Sequence, residues 1–212
     1  MRALALSLLV FTAPALAANP NEPHPNHGLA RAWTGAPPRT TLTADQEARL
    51  ARGEPVLVQT QKGQGGEGVA VQDIAAPPEV VWGRITDFAA YPRMVPHVVR
   101  CEPYARSGDR VDVTFEINVL GSAWVYYIEH RVHASEGWLT WTLDYSRHSD
   151  LADSVGYWRV DPHPTQPGWS RVFYAVDVRL DGWVPGFIQD ILGRRGLLDA
   201  TRWVKRESEA AR

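Results

Sequence analysis

The sequence predicts an α+β domain in which one curved antiparallel sheet wraps around a long C-terminal helix. Three observations predict it. From residue 111 to residue 180, apolar and polar side chains alternate with a period of two, in runs separated by short turns. Strands so closely spaced pair as hairpins rather than through crossover units. One strand and two short helices precede that region, and one long amphipathic helix follows it. Hydrophobic residues make up 44% and charged residues 22% of the 212, which excludes wholesale disorder.

Residues 1–17 read MRALALSLLVFTAPALA, with Arg2 before an apolar run, then Pro14 and the small-x-small close Ala15-Leu16-Ala17. This is the pattern of a cleaved secretory signal, too short for the roughly 20 apolar residues of a membrane span. No cysteine follows the cleavage site and no twin arginine precedes the run. A soluble protein exported by the Sec route is expected, periplasmic in a Gram-negative cell and otherwise secreted. The lone Cys101 excludes an intramolecular disulfide and a Cys-rich zinc site, and is expected to be buried as a small apolar residue.

Residues 18–41 carry Pro20, Pro23, Pro25, Pro37 and Pro38 and read as a flexible or extended linker. His24 and His27 stand three apart within it, but nothing nearby supplies further metal ligands. Residues 42–67 form an N-terminal extension. Thr43 caps a short helix to about Ala51, Gly53 stops it, and residues 56–60 make a strand. The GQGGEG turn after it lacks a following Lys-Ser/Thr and leads into a strand, so it is not a phosphate loop.

The main domain spans residues 68–207. A strand at 69–74 leads to a helix opened by Pro77-Pro78-Glu79, where proline forfeits no hydrogen bond and Glu79 suits the positive end of the dipole. Val81, Ile85 and Phe88 form its apolar stripe, and Tyr91-Pro92 starts a second short turn. About six strands follow. Val111, Val113, Phe115, Ile117 and Val119 share one face. So do Trp124, Tyr126, Ile128, His130 and Val132, then Leu139, Trp141, Leu143 and Tyr145. Residues 155–160 and the Val172, Tyr174, Val176, Val178, Leu180 series complete the sheet, with turns at Gly108, Gly137 and Gly168. From Pro185 to about Glu207 the apolar stripe is Val184, Phe187, Ile188, Ile191, Leu192, Leu198, Thr201 and Val204.

Several phrases in this order resemble the START-like, or SRPBCC helix-grip, superfamily, which includes polyketide cyclases, bacterial lipid carriers and a coenzyme-Q-binding branch. They are Ile74-Ala-Ala-Pro-Pro-Glu-Val-Val-Trp82, Thr86-Asp-Phe-Ala-Ala-Tyr-Pro92 and Pro96, then Gly156-Tyr-Trp-Arg-Val-Asp-Pro162, Tyr174-Ala-Val-Asp-Val and Val184-Pro185. The resemblance implies a deep apolar cavity between the concave sheet face and the C-terminal helix, holding a lipid, sterol, isoprenoid, quinone or polyketide. The superfamily has no universal catalytic motif, and fold does not decide function.

The formal charge of −2, from 22 basic and 24 acidic residues, argues against a nucleic-acid partner. No nucleophile elbow, H-E-x-x-H or paired cysteines occur, so no cofactor or metal is expected. His130 and His133 lie three apart on a strand and face opposite sides. Nine Trp and seven Tyr against five Phe and two Met make bulky amphipathic rings the conspicuous excess. The cavity candidates are Trp124, Tyr126, His130, Trp141, Tyr157, Arg159, Tyr174, Phe187 and Ile191. Each has a plain alternative: a ring that fills the core, a satisfied structural histidine, an arginine on a solvated strand edge. Trp183, Val184 and Phe187 offer either transient membrane contact or ordinary packing. The expected function is a non-enzymatic carrier of a hydrophobic ligand. The alternative is a cyclase-like enzyme dependent on His130, Arg159 or Asp144.

Overall fold

The computed structural model describes residues 17–58, 68–119, 121–180 and 194–211. Its helices are α1 (Ala44–Ala51), α2 (Pro78–Thr86), α3 (Tyr91–Met94) and α4 (Arg194–Glu209). Its strands are β1 (Val56–Val58), β2 (Val69–Ile74), β3 (Val98–Ser107), β4 (Arg110–Val119), β5 (Ser122–His133), β6 (Trp138–Leu143), β7 (Asp153–Pro162) and β8 (Ser170–Arg179). All eight join one antiparallel sheet in the order β1-β2-β8-β7-β6-β5-β4-β3. With α4 across its concave side this is the α+β, helix-grip arrangement that the sequence predicts. The expected residues Phe187 and Ile191, with Trp183 and Val184, lie outside the described residues.

Local chemistry sets the boundaries. Thr43 accepts from the Gln46 amide while Gln46 returns the bond to the Thr43 amide, a reciprocal cap that starts α1. Pro78 occupies the first turn of α2 without losing a helical bond. Strand β3 lacks a regular period-two alternation. It is an edge strand with Pro103, two register shifts and an exposed outer half, so charge and bulges replace alternation.

The concave face and α4 enclose the larger core. Ile74, Val81, Ile85, Phe88, Val113, Leu139, Leu143, Trp158, Trp203 and Val204 are all buried there. On α4 the inward positions include Leu197, Thr201, Val204 and Ser208, one residue offset from the expected Leu198 at the start. Cys101 is buried, and desolvation pushes its thiol well above the ordinary range.

The convex face is covered too. Val56, Val69, Val71, Tyr157, Phe173 and Ala175 form a second cluster with Leu50 of α1, and Trp33 and Leu42 pack on it. Residues 18–41 form no helix or regular strand, and they are fastened to the sheet rather than loose. His24 receives the Ser149 amide at 3.2 Å and lies 3.0 Å from the Ala152 carbonyl. The Ala30 amide donates to Asp153, Arg159 donates to the Pro37 carbonyl, and Arg39 pairs with Asp161. Further along, Arg171 joins Asp73 to Glu47 of α1, and His163 reaches the same Asp73 carboxylate.

Candidate functional site

Directly paired residues on neighbouring strands share a face. The register therefore puts Val111 opposite His130, Phe115 opposite Tyr126, His130 opposite Trp141, Trp141 opposite Gly156, and Trp158 opposite Tyr174, all on the concave side. Of these, Phe115, Tyr126, His130, Trp141, Trp158 and Tyr174 wall a cavity of about 590 Å³ beneath α4. Tyr91 and Val95 contribute from α3 and its end, and Ala200 and Trp203 from α4.

Among the described residues, seven Phe, Tyr and Trp rings line the cavity, set among aliphatic side chains. Trp158 and Tyr174 have ring centroids 4.2 Å apart, Phe115 stacks on Tyr126 at 5.3 Å, and Trp203 meets Tyr91 edge-on at 5.2 Å. Ile117, Ile128, Val176 and Val178 fill the intervals. Burial drives the phenols of Tyr91, Tyr126 and Tyr174 far above the ordinary tyrosine range, so all three stay protonated and can donate. Tyr91 already donates to the Ile85 carbonyl at 2.6 Å.

His130 is the polar centre of the wall. Its ring lies among Phe88, Phe115 and Trp141, at 4.7, 6.2 and 6.3 Å between centroids. Desolvation lowers its pKa to about 4, partly offset by the bond to the Val111 carbonyl. Nδ1 lies 3.2 Å from that carbonyl oxygen, which assigns the proton to Nδ1 and leaves Nε2 as an acceptor. The imidazole is thus neutral at physiological pH. Asp199 and Arg202 also border the cavity, but they pair with each other at 2.8 Å and are more than half exposed. Exposed His97 completes the rim, with an unusual φ of 67° for a residue other than glycine.

Of the residues singled out from sequence, Tyr126, His130, Trp141 and Tyr174 are brought together on this wall. Trp124 shares their face and packs beside them, half-buried, with an indole nitrogen that has no hydrogen-bond partner among the described residues. Tyr157 and Arg159 require a correction. They point to the convex side, where Tyr157 meets Trp33 edge-on at 5.0 Å and Arg159 holds Asp161 and Pro37. Both faces of β7 are covered, so hydrophobicity does not reveal which residues look inward. Asp144 is equally remote, accepting from Tyr104 and Ser146 beside Arg147. The residues that sequence reasoning missed are Tyr91, Phe115, Ser154, Trp158 and Trp203. Phe115 was legible as the partner of Tyr126 once β4 and β5 were paired; Trp158 needed the parity of β7. Among the described residues no cluster of His, Cys, Asp or Glu could hold a metal ion.

The fold has known counterparts. The model of the polyketide cyclase/dehydrase and lipid transport family matches residues 67–211. The chain belongs to that family. Residues 17–58, which cover the convex face, fall outside the family match. Among solved structures, the chain is similar to the Zhui aromatase/cyclase from Streptomyces sp. R1128, with a TM-score of 0.57 and 12% identity over 68% of this chain and 94% of that one. A START superfamily protein from Mycobacterium smegmatis gives 0.56 and 18% over 68% and 97%. A STAR-related lipid transfer protein from Xanthomonas axonopodis gives 0.54 and 12% over 73% and 98%. Likeness at such identities shows the fold. No curated protein matches the sequence.

Proposed function

We propose that this family member is an exported binding or carrier protein for a hydrophobic ligand such as a lipid, sterol, isoprenoid or quinone. The cavity carries the reading: about 590 Å³ of aromatic-walled space lies within the range of roughly 300–1,000 Å³ typical of small-molecule sites. Its deep polar groups are neutral phenols and a neutral imidazole, which can orient a carbonyl or hydroxyl without carrying charge. Binding would be driven by desolvation. A ligand that buries about 400 Å² gains on the order of 10 kcal/mol before ordering costs, ample for a carrier. Export is supported by the apolar run after Arg2 and the Ala15-Leu16-Ala17 close. Among the described residues no helix is long and apolar enough to cross a membrane. The test is native mass spectrometry of the protein purified without detergent, followed by titration with a quinone, a sterol and a fatty acid. A bound apolar molecule, or saturable one-to-one binding of one class, supports the carrier. Neither in any preparation overturns it.

A second reading, a cyclase-like enzyme, is favoured by one observation: the Nδ1 proton of His130 leaves Nε2 as an imidazole acceptor on the deep wall. Arg159 and Asp144 do not support it, since both are engaged away from the cavity. Replacement of His130 by Asn would abolish turnover while retaining ligand on this reading, and would alter affinity alone on the first.

A further inference from the structure

The segment between β6 and β7 continues the sheet where β6 ends. Asp150 is bonded twice to Val125, donating its amide to the Val125 carbonyl at 2.8 Å and receiving the Val125 amide on its side-chain carboxylate at 2.6 Å. The Tyr127 amide donates to Ser149 Oγ at 3.1 Å. Next along, Leu151 and then Ser154 reach the cavity wall. The geometry of this segment therefore shapes one side of the cavity.

What fastens it is the N-terminal strap. Asn19 forms a two-bond antiparallel bridge with His148, at 2.8 and 3.0 Å. Immediately before it, the Ala18 nitrogen lies 2.9 Å from Asp150 Oδ1. Asp150 is half-buried, and no Lys or Arg pairs with it among the described residues. A carboxylate drawn partly out of water with only amide donors lacks a counter-charge. An ordinary amide at Ala18 would need no more than a carbonyl as its acceptor.

We infer that Asp150 is the receptor for the α-ammonium group created when residues 1–17 are removed. Hydrolysis of the Ala17–Ala18 peptide bond adds hydroxyl from water to the Ala17 carbonyl. The freed Ala18 nitrogen takes up protons and stays beside Asp150 Oδ1. Processing thus converts an amide-to-carboxylate hydrogen bond into an ion pair that clamps strap, inter-strand segment and cavity wall together. The inference rests on the leader reading, and it concerns a part of the chain outside the family match.

The experiment separates the two. Protein is released from a fusion so that Ala18 is the first residue, and compared with the same protein carrying Gly-Ser before Ala18 and with a form acetylated at Ala18. Each is made with Asp150 and with Asp150→Asn. The free-amine protein is expected to melt about 2–4 °C above both blocked forms, a shift of the size that a kcal/mol makes in a domain of this length. That gap is expected to close in Asp150→Asn. Equal melting of free and blocked forms, or a gap that survives Asp150→Asn, overturns the ion pair. N-terminal sequencing of the exported full-length chain tests the leader on its own: Ala18 first supports it, and any other first residue overturns it whatever the melting data show.

Discussion

Trp141 presses against Gly156, its partner on the adjacent strand. A β-carbon built on Gly156 would overlap the indole ring and stand 2.5 Å from the Ala175 carbonyl oxygen. The glycine is there because the cavity wall needs the ring pressed against the sheet. Gly156→Ala is expected to cost about 1–3 kcal/mol, the usual range for overpacking, and to push Trp141 into the cavity. Urea denaturation measures the first effect, and reduced ligand capacity at unchanged fold the second.

His130 should make the protein acid-sensitive in a defined window. The folded chain holds it neutral down to about pH 4, while the unfolded chain binds the proton near the ordinary histidine value of 6.5. Between those values the unfolded state binds more protons, so stability falls as pH drops from about 6.5 to about 4. The loss is of order 3 kcal/mol at most. The His130 ring resonances should titrate near pH 4 by NMR, and His130→Phe should flatten that part of the stability curve. A midpoint near 6.5 would show that the ring is not held in the dry wall described here.

The Asp73–Arg171–Glu47 cluster should divide unequally. Arg171 and Asp73 are both buried, with Nε and Nη2 bonds of 2.7 and 2.9 Å, whereas Glu47 is 47% exposed at its side chain. Asp73→Leu leaves a buried guanidinium without its near partner and is expected to cost about 3–5 kcal/mol. Glu47→Gln should cost below about 1 kcal/mol. Equal losses in chemical denaturation would contradict this account of how α1 is attached.

Strap packing is tested by Trp33→Ala. Loss of the half-buried indole from the Tyr157 ring should cost about 2 kcal/mol while leaving affinity for a cavity ligand unchanged, because Tyr157 faces away from it. Parallel loss of affinity would mean that the two faces of β7 are coupled.

Much of this architecture was legible in the sequence, and the failures share a physical cause. Alternation identified the inward faces of β4, β5, β6 and β8 because each sets an apolar face against one that carries polar residues. It could not orient β7, where Tyr157 and Arg159 on one face are as buried as Trp158 on the other. Arg159 is held by the strap through the Pro37 carbonyl, and a proline-rich composition does not disclose what it will lie against. Tyr126, His130, Trp141 and Tyr174 were findable from parity alone. Tyr91 and Trp203 were not, because their place on the wall depends on how α3 and α4 dock.

The tryptophans supply the most direct test of the central claim that the concave cavity holds an apolar ligand. Trp141, Trp158 and Trp203 line it, while Trp33, Trp138 and Trp169 lie elsewhere. The measurement is the ¹⁵N-indole NMR spectrum during titration with a short-chain quinone or a sterol. The account predicts saturable shifts of the Trp141, Trp158 and Trp203 signals, with those of Trp33, Trp138 and Trp169 unmoved. Binding that shifts the outer indoles and leaves the three wall indoles in place would contradict it.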